Sequence, residues 1–169
     1  MTTENRIVRG GIGILVVDLK TYTTLLMRRV RGHDMGRFTD PGGKIDFGER
    51  AVDAAVRELS EETGIIVQDT NDLIELGHYD HIDIPNGHHY AGPTFLYLLK
   101  AGDVPTNKEP EKHDRFGMYS IDLAMSWMDL CYPVKWALNK FSTRYPNRVE
   151  TGEDNAWVSS HIIDPRRGW

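Results

Sequence analysis

Along the chain, apolar residues gather in short blocks divided by glycine, proline and charge. Gly11 to Val17 (GIGILVV) is a continuous apolar run of strand length, and Thr23 to Arg29 (TTLLMRR) is a second. Asp18 to Tyr22 between them reads as a hairpin connection. From Arg31 to Gly43 (RGHDMGRFTDPGG) the chain is glycine-rich and polar, which predicts a loop. A helical pattern then runs from about Arg50 to Thr63 and stops at Gly64, which suits a left-handed C-terminal cap. Two further strands are expected near Leu73 to Ile84 and near Pro93 to Lys100, with turn chemistry from Pro85-Asn86-Gly87 between them. Ala101 to Asp114 reads as a loop and Phe116 to Ile121 as a short strand. A second helix is expected from Pro133, a good first-turn residue, carrying Val134, Trp136, Ala137 and Phe141. This order predicts an α+β fold, a mixed sheet sandwiched between helices.

The first helix has an unusual charge pattern. At about 100° per residue, Val52, Val56 and Leu59 share one side, the expected core face. Glu58, Glu61 and Glu62 cluster on the other, together with Ala51 and Ala54, whose small side chains would leave space above the acids. Three neighbouring carboxylates repel unless a cation compensates them. A solvated acidic face is the ordinary explanation, but the upstream Pro41-Gly42-Gly43 lets the backbone approach a ligand closely. Oxygen ligands without His or Cys favour Mg²⁺, or Mn²⁺, over zinc.

Composition narrows the alternatives. The chain of 169 residues is read as one domain, 1–169, with a core at about 10–141 and a polar, aromatic-dotted extension at about 143–169. No apolar run approaches the roughly 20 residues that span a bilayer, and MTTENRIVRGG lacks the pattern of a secretory signal. Cys131 is the only cysteine, so a cytoplasmic location is expected. A net charge of −5 disfavours an extended nucleic-acid footprint, yet permits a small phosphate ligand where local cations reverse the sign.

The segment GGKIDFGERAVDAAVRELSEETGI resembles the signature of the Nudix hydrolases, G-x5-E-x7-R-E-U-x-E-E-x-G-U with U bulky and apolar. Gly43, Glu49, Arg57, Glu58, Leu59, Glu61, Glu62, Gly64 and Ile65 fill every fixed position. The resemblance covers roughly Gly10 to Phe141 and implies a Nudix-type α/β/α sandwich. It also implies that Glu58 and Glu62 are the main metal ligands, with Glu61 as a ligand or water orienter and a carbonyl from Gly42 or Gly43 joining them. Glu49 and Arg57 look like a charge-assisted brace between loop and helix.

Such enzymes hydrolyse a nucleoside diphosphate linked to another group. Their phosphoanhydride substrates require metals to neutralise oxygens, position a water and lower its pKa. MRRVRGHDMGRFTDPGGKIDFGE and KEPEKHDRFGMYSID look like the subgroup that cleaves nucleoside triphosphates to monophosphate and pyrophosphate. In that subgroup a carboxylate of the second segment completes the metal site or acts as base; Glu111 is the first candidate and Glu109 the second. Arg29 is placed by the resemblance to contact phosphate, with Arg28 on the opposite sheet face. Gly43 borders the same site, and Lys44 could reach phosphate as a point charge. Phe116 and Met118 could form one wall of a base-stacking pocket. His88-His89 is not read as a metal pair, nor Gly10-Gly11-Ile12-Gly13 as a phosphate loop, because a strand follows it.

Nucleotide sugars, dinucleoside polyphosphates, ADP-ribose and capped RNA remain as other substrates, and a silent nucleotide-binding module as another class of function. Related enzymes are often homodimers; Trp127, Trp136, Trp157 and Trp169 offer surface either for such an interface or for packing within one chain.

Overall fold

A computed structural model describes residues 7–85, 87–126 and 129–145. Its strands are β1 (Arg9–Asp18), β2 (Thr23–Arg29), β3 (Phe38–Thr39), β4 (Gly42–Lys44), β5 (Leu73–Asp83), β6 (His88–Leu98) and β7 (His113–Ser120). Its helices are α1 (Ala51–Thr63), α2 (Ile121–Ser126) and α3 (Tyr132–Arg144), with a 3-10 turn at Thr70–Asp72. The strands form one mixed sheet, ordered β3-β2-β1-β6-β5, with β4 added to β1 and β7 to β2.

Alternation along β1 separates two cores. Ile12, Ile14 and Val16 point to one face, where with Leu25, Phe95 and Tyr97 they bury Ala54, Ala55 and Leu59 of α1. Leu15 and Val17 point to the other, against Val134, Ala137, Leu138 and Phe141 of α3 and Ile121 and Ala124 of α2. Sheet between helices is therefore the observed α+β arrangement. β1 is parallel to β6, with Arg9, Gly10 and Gly13 to Val17 in register. On its other edge it changes partner: Val17 and Asp18 pair with β2, whereas Gly11 to Gly13 pair with β4. Between those two pairings the Ile14 N–H donates to the Pro41 carbonyl at 2.8 Å.

Several elements differ from the sequence expectation. Residues 31–43 are not all loop: β3 and β4 lie within them, held by pairing with β2 and β1 rather than by local propensity. β6 begins at His88, because it pairs with β5 out to Asp83↔His88. β7 begins at His113, where Asp114 pairs in register with Arg28 and forms a salt bridge of 2.5 Å with it. α2 was not expected. On α1, Ala54 is fully buried core and leaves no open space above the acids. Val52 and Val56 are only partly buried beside it. Small residues sit there because the helix lies close to the sheet. The tail at 146–169, with Trp157 and Trp169, lies outside the described residues, as does Trp127. Trp136 packs within the chain, its ring 5.6 Å from that of Tyr79.

Gly92 marks the closest strand approach. A Cβ there would lie 1.7 Å from the carbonyl oxygen of Gly11 across the parallel pair. Gly92→Ala is expected to lower unfolding free energy by about 3 kcal/mol, the upper range of overpacking. Gly117→Ala, where the nearest atom would be 3.7 Å away, is the control. Urea titration of both variants checks this; equal effects would contradict it.

Candidate active site

The site begins with two glycines and two acids. The backbone N–H of Gly42 donates to Glu62 Oε2 at 2.9 Å. A Cβ on Gly43 would lie 2.0 Å from Glu58 Oε1, and one on Gly42 would lie 2.4 Å from the carbonyl oxygen of Ile12. Only glycine lets β4 lie over α1 this closely. Glu62 is 6% exposed, and burial pushes its carboxyl up to about 8, opposed by the Gly42 hydrogen bond. Burial also raises Glu58, with Arg57 acting against it.

Arg57 resolves the crowding of acids. Its Nε and Nη2 donate to Glu49 at 3.0 Å each, its Nη1 to Glu58 at 2.8 Å and Glu61 at 3.2 Å, and its Nη2 to the Lys44 carbonyl at 3.0 Å. One guanidinium thus ties the loop before α1 to the acidic turn of the helix, and holds Glu49 below the usual carboxylate range. Glu61 touches this network only at its edge: its side chain is 53% exposed and it does not line the cleft.

The segment preceding β7 brings a third acid. It is fastened to the end of α1, where Thr106 N–H donates to the Thr63 carbonyl at 2.9 Å and Lys108 N–H to the Glu62 carbonyl at 3.1 Å. These bonds satisfy carbonyls that a helix end leaves free. The Asn107 side chain then accepts from Glu109 N–H and donates to the His113 carbonyl, fixing the turn. As a result, ligand atoms of Glu62, Glu109 and His113 all lie within 4.8 Å of one another. Lys112 Nζ donates to Glu109 Oε1 at 2.5 Å, while Glu109 Oε2 and His113 Nδ1 are buried without a hydrogen-bond partner. Burial, then Arg29, depresses His113 to about 4, so its ring is neutral. Buried, unpaired acceptors beside a buried acid fit a divalent cation; without one they carry an uncompensated desolvation cost.

Glu111, the first sequence candidate, does not join this group. Its side chain is exposed and faces Arg31 at 3.6 Å. The turn Glu109–His113 directs alternate acids apart, so Glu109 takes the inner position. Sequence reasoning also missed His113, Lys112 and Asp40. The signal for His113 was its place directly after the Glu-Pro-Glu-Lys run, at the first position of β7.

A cleft of about 540 Å³ extends from Glu58 and Glu62. Gly42, Gly43, Lys44, Lys112, Arg29 and Arg31 line its phosphate-compatible end. Arg29 Nε donates to the His33 carbonyl at 2.9 Å, while Arg28 points to Asp114. Phe116 and Met118 do not line the cleft: Phe116 packs under α1 and Met118 is 37% exposed. The register slip between Leu26 and Arg28, with Arg115 at φ 46°, sets them lower on the sheet than His113. The far end of the cleft is formed by Tyr79, His81, Tyr90 and His33, with Asp40 and Cys131. His88 and His89 are absent from the one described cluster with metal-ligand spacing.

Comparison with known proteins agrees with this geometry. The NUDIX domain family model matches residues 8–145. The chain is similar to the oxidized purine nucleoside triphosphate hydrolase of Mus musculus, 32% identical over 123 residues, covering 70% of this chain and 73% of that protein. It is also similar to the ADP-ribose pyrophosphatase of Methanocaldococcus jannaschii, 29% identical over 109 residues, covering 64% of this chain and 61% of that protein. Among solved structures, a MutT NUDIX hydrolase from Burkholderia pseudomallei superposes with a TM-score of 0.70 at 31% identity, covering 79% of this chain and 98% of that one. The glycines of β4, the acids of α1 and the Arg57 brace thus form the signature of the family to which this chain belongs, the Nudix hydrolases.

Proposed function

We propose that this Nudix hydrolase cleaves a nucleoside triphosphate to the monophosphate and pyrophosphate with Mg²⁺, or Mn²⁺, as cofactor. The observation that carries the reading is convergence. Glu58 and Glu62 line one end of a cleft that also exposes Arg29, Lys44 and Lys112, and ligand atoms of Glu62, Glu109 and His113 lie within 4.8 Å of one another, with Glu109 Oε2 buried and unpaired. Glu58 and Glu62 would hold the ion, with Glu109 and the carbonyl of Gly42 or Gly43 beside them. A bound divalent cation supplies charge neutralisation of phosphate oxygens and a more acidic water.

The chain's own groups do the rest. Arg29, Lys44 and Lys112 bind the triphosphate as cations, offsetting a chain whose net charge is −5. Arg57 favours the ionised form of Glu58 against its burial and holds it in line with Glu49 and the Lys44 carbonyl, a positioning role. Glu109, with Oε1 on Lys112, accepts the water's proton at Oε2. In-line attack then depends mainly on alignment. Glu61 acts from the rim through Arg57, and Glu111 has no part beyond its contact with Arg31. The relative named an ADP-ribose pyrophosphatase supports a second reading with that substrate, and release of pyrophosphate separates the two. The reading takes the chain as one domain acting in the cytoplasm, and no described helix is long and apolar enough to cross a membrane. A homodimer belongs to the same proposal.

Three outcomes are expected. Glu58→Gln and Glu109→Gln should each lower kcat about 100-fold or more, because even groups behind metal ligands are worth 10–100-fold. Glu111→Gln should stay within about threefold, the scale of an exposed ion pair. A malachite-green assay with added pyrophosphatase measures all three, and a Glu111 effect matching that of Glu109 would reverse the assignment. The third concerns pH. Glu62 binds a proton in the metal-free folded protein up to about 8, above the ordinary value of 4.5. The folded state therefore holds the extra proton across that window, and metal-free stability should fall as pH rises through it. Mg²⁺ favours the ionised acid, so its rise in Tm should be larger at the alkaline end than near the ordinary carboxylate pKa. Thermal scans with chelator and with Mg²⁺ check this; a pH-independent rise would contradict it.

A further inference from the structure

His113 is held from three directions. It opens β7 in register with Arg29 of β2, its N–H donates to the Glu109 carbonyl at 3.0 Å, and its carbonyl accepts from the Asn107 side chain at 2.8 Å. With its backbone fixed in this way, His113 is 4% exposed and lines the cleft. There a ring nitrogen lies within 4.8 Å of a carboxylate oxygen of Glu62 and one of Glu109, while Glu58 stands outside the group. The ring enters from β7, far along the chain from α1, so the helix alone presents an oxygen-only set of donors.

Packing alone does not account for this ring. Its Nδ1 is buried and has no hydrogen-bond partner, whichever nitrogen carries the proton. Such an atom costs free energy unless a ligand meets it. The neighbouring cations are engaged elsewhere: Lys112 Nζ donates to Glu109 Oε1, and Arg29 Nε to the His33 carbonyl. A phosphate oxygen could accept a hydrogen from the ring, but two carboxylates within 4.8 Å repel it. A cation meets the ring nitrogen and the acids together.

We infer that His113 is a nitrogen ligand to a cation it shares with Glu62, and that this position takes Mn²⁺ in preference to Mg²⁺. Mg²⁺ prefers oxygen ligands and keeps several waters, whereas imidazole nitrogen binds first-row transition ions more strongly. Glu58 and the carbonyls of Gly42 and Gly43 offer oxygen only, so discrimination between the two ions rests on this one ring. The inference deepens the metal-dependent reading and rests on it for the ion's part in turnover; Glu109 keeps its role toward the water.

Mn²⁺ added alone to the metal-free protein tests it without nucleotide or turnover. Pulsed EPR of the bound ion should show a directly coordinated nitrogen, and calorimetry should show Mn²⁺ binding more tightly than Mg²⁺. His113→Gln should erase the nitrogen signal and weaken Mn²⁺ about tenfold or more, because even groups behind metal ligands are worth 10–100-fold. Mg²⁺ should weaken less. Glu62→Gln, an isosteric change on another element, should also erase the signal, which a histidine outside this cluster would keep. That variant decides the location even if His113→Gln folds poorly. Wild type without nitrogen coupling, a signal that survives either variant, or equal losses of Mn²⁺ and Mg²⁺ overturns the inference. Nitrogen-bound Mn²⁺ with no triphosphate turnover would instead sink the hydrolase reading and leave this ligand standing.

Discussion

The close contact between β4 and α1 governs the rest of the molecule. Gly42 and Gly43 bring a strand down onto the helix so tightly that a backbone N–H reaches the buried Glu62 and no side chain fits above Glu58. The contact positions two acids at the mouth of the cleft. It also creates an electrostatic problem, since both are desolvated, Glu58 raises Glu62 further, and Glu61 raises Glu58. Arg57 answers part of it for Glu58, and Lys112 acts on both from farther away. What remains is a cluster of Glu62, Glu109 and His113 with metal-ligand spacing, in which Glu109 Oε2 is buried without a partner.

The fold supplies this contact through a change of partner. β1 runs parallel to β6 on one edge, but on its other edge it joins β2 at one end and β4 at the other. The cleft is lined where that switch occurs, by Gly11, Gly13, Gly42 and Gly43 together with Glu58 and Glu62. Acids and cations gather on the α1 side, while glycines and aromatic rings gather on the other.

Much of this was legible in the chain, for local reasons. The strands β1 and β2, the helix α1 and its Gly64 cap follow from runs and spacing within about 20 residues, the range over which periodicity speaks. The acids, Arg57 and Glu49 are fixed by the same spacing. Glu109 against Glu111 was not legible, because hydrogen bonds from Thr106 and Lys108 to the distant end of α1 orient that turn. Phe116 and Met118 were misplaced because a bulge at Arg115 is invisible to simple alternation. Ala54 was read as open space because a helical wheel cannot show how closely a sheet approaches.

The central claim is that the acids of α1 and Glu109 surround a divalent ion that also holds a nucleotide's phosphates. A crystal structure with Mg²⁺ and a non-hydrolysable nucleoside triphosphate tests it most directly. The account predicts ion density touching Glu58 and Glu62, with Glu109 beside it and the triphosphate reaching Arg29. Fully occupied nucleotide with its phosphates elsewhere, and no ion beside those carboxylates, would contradict it.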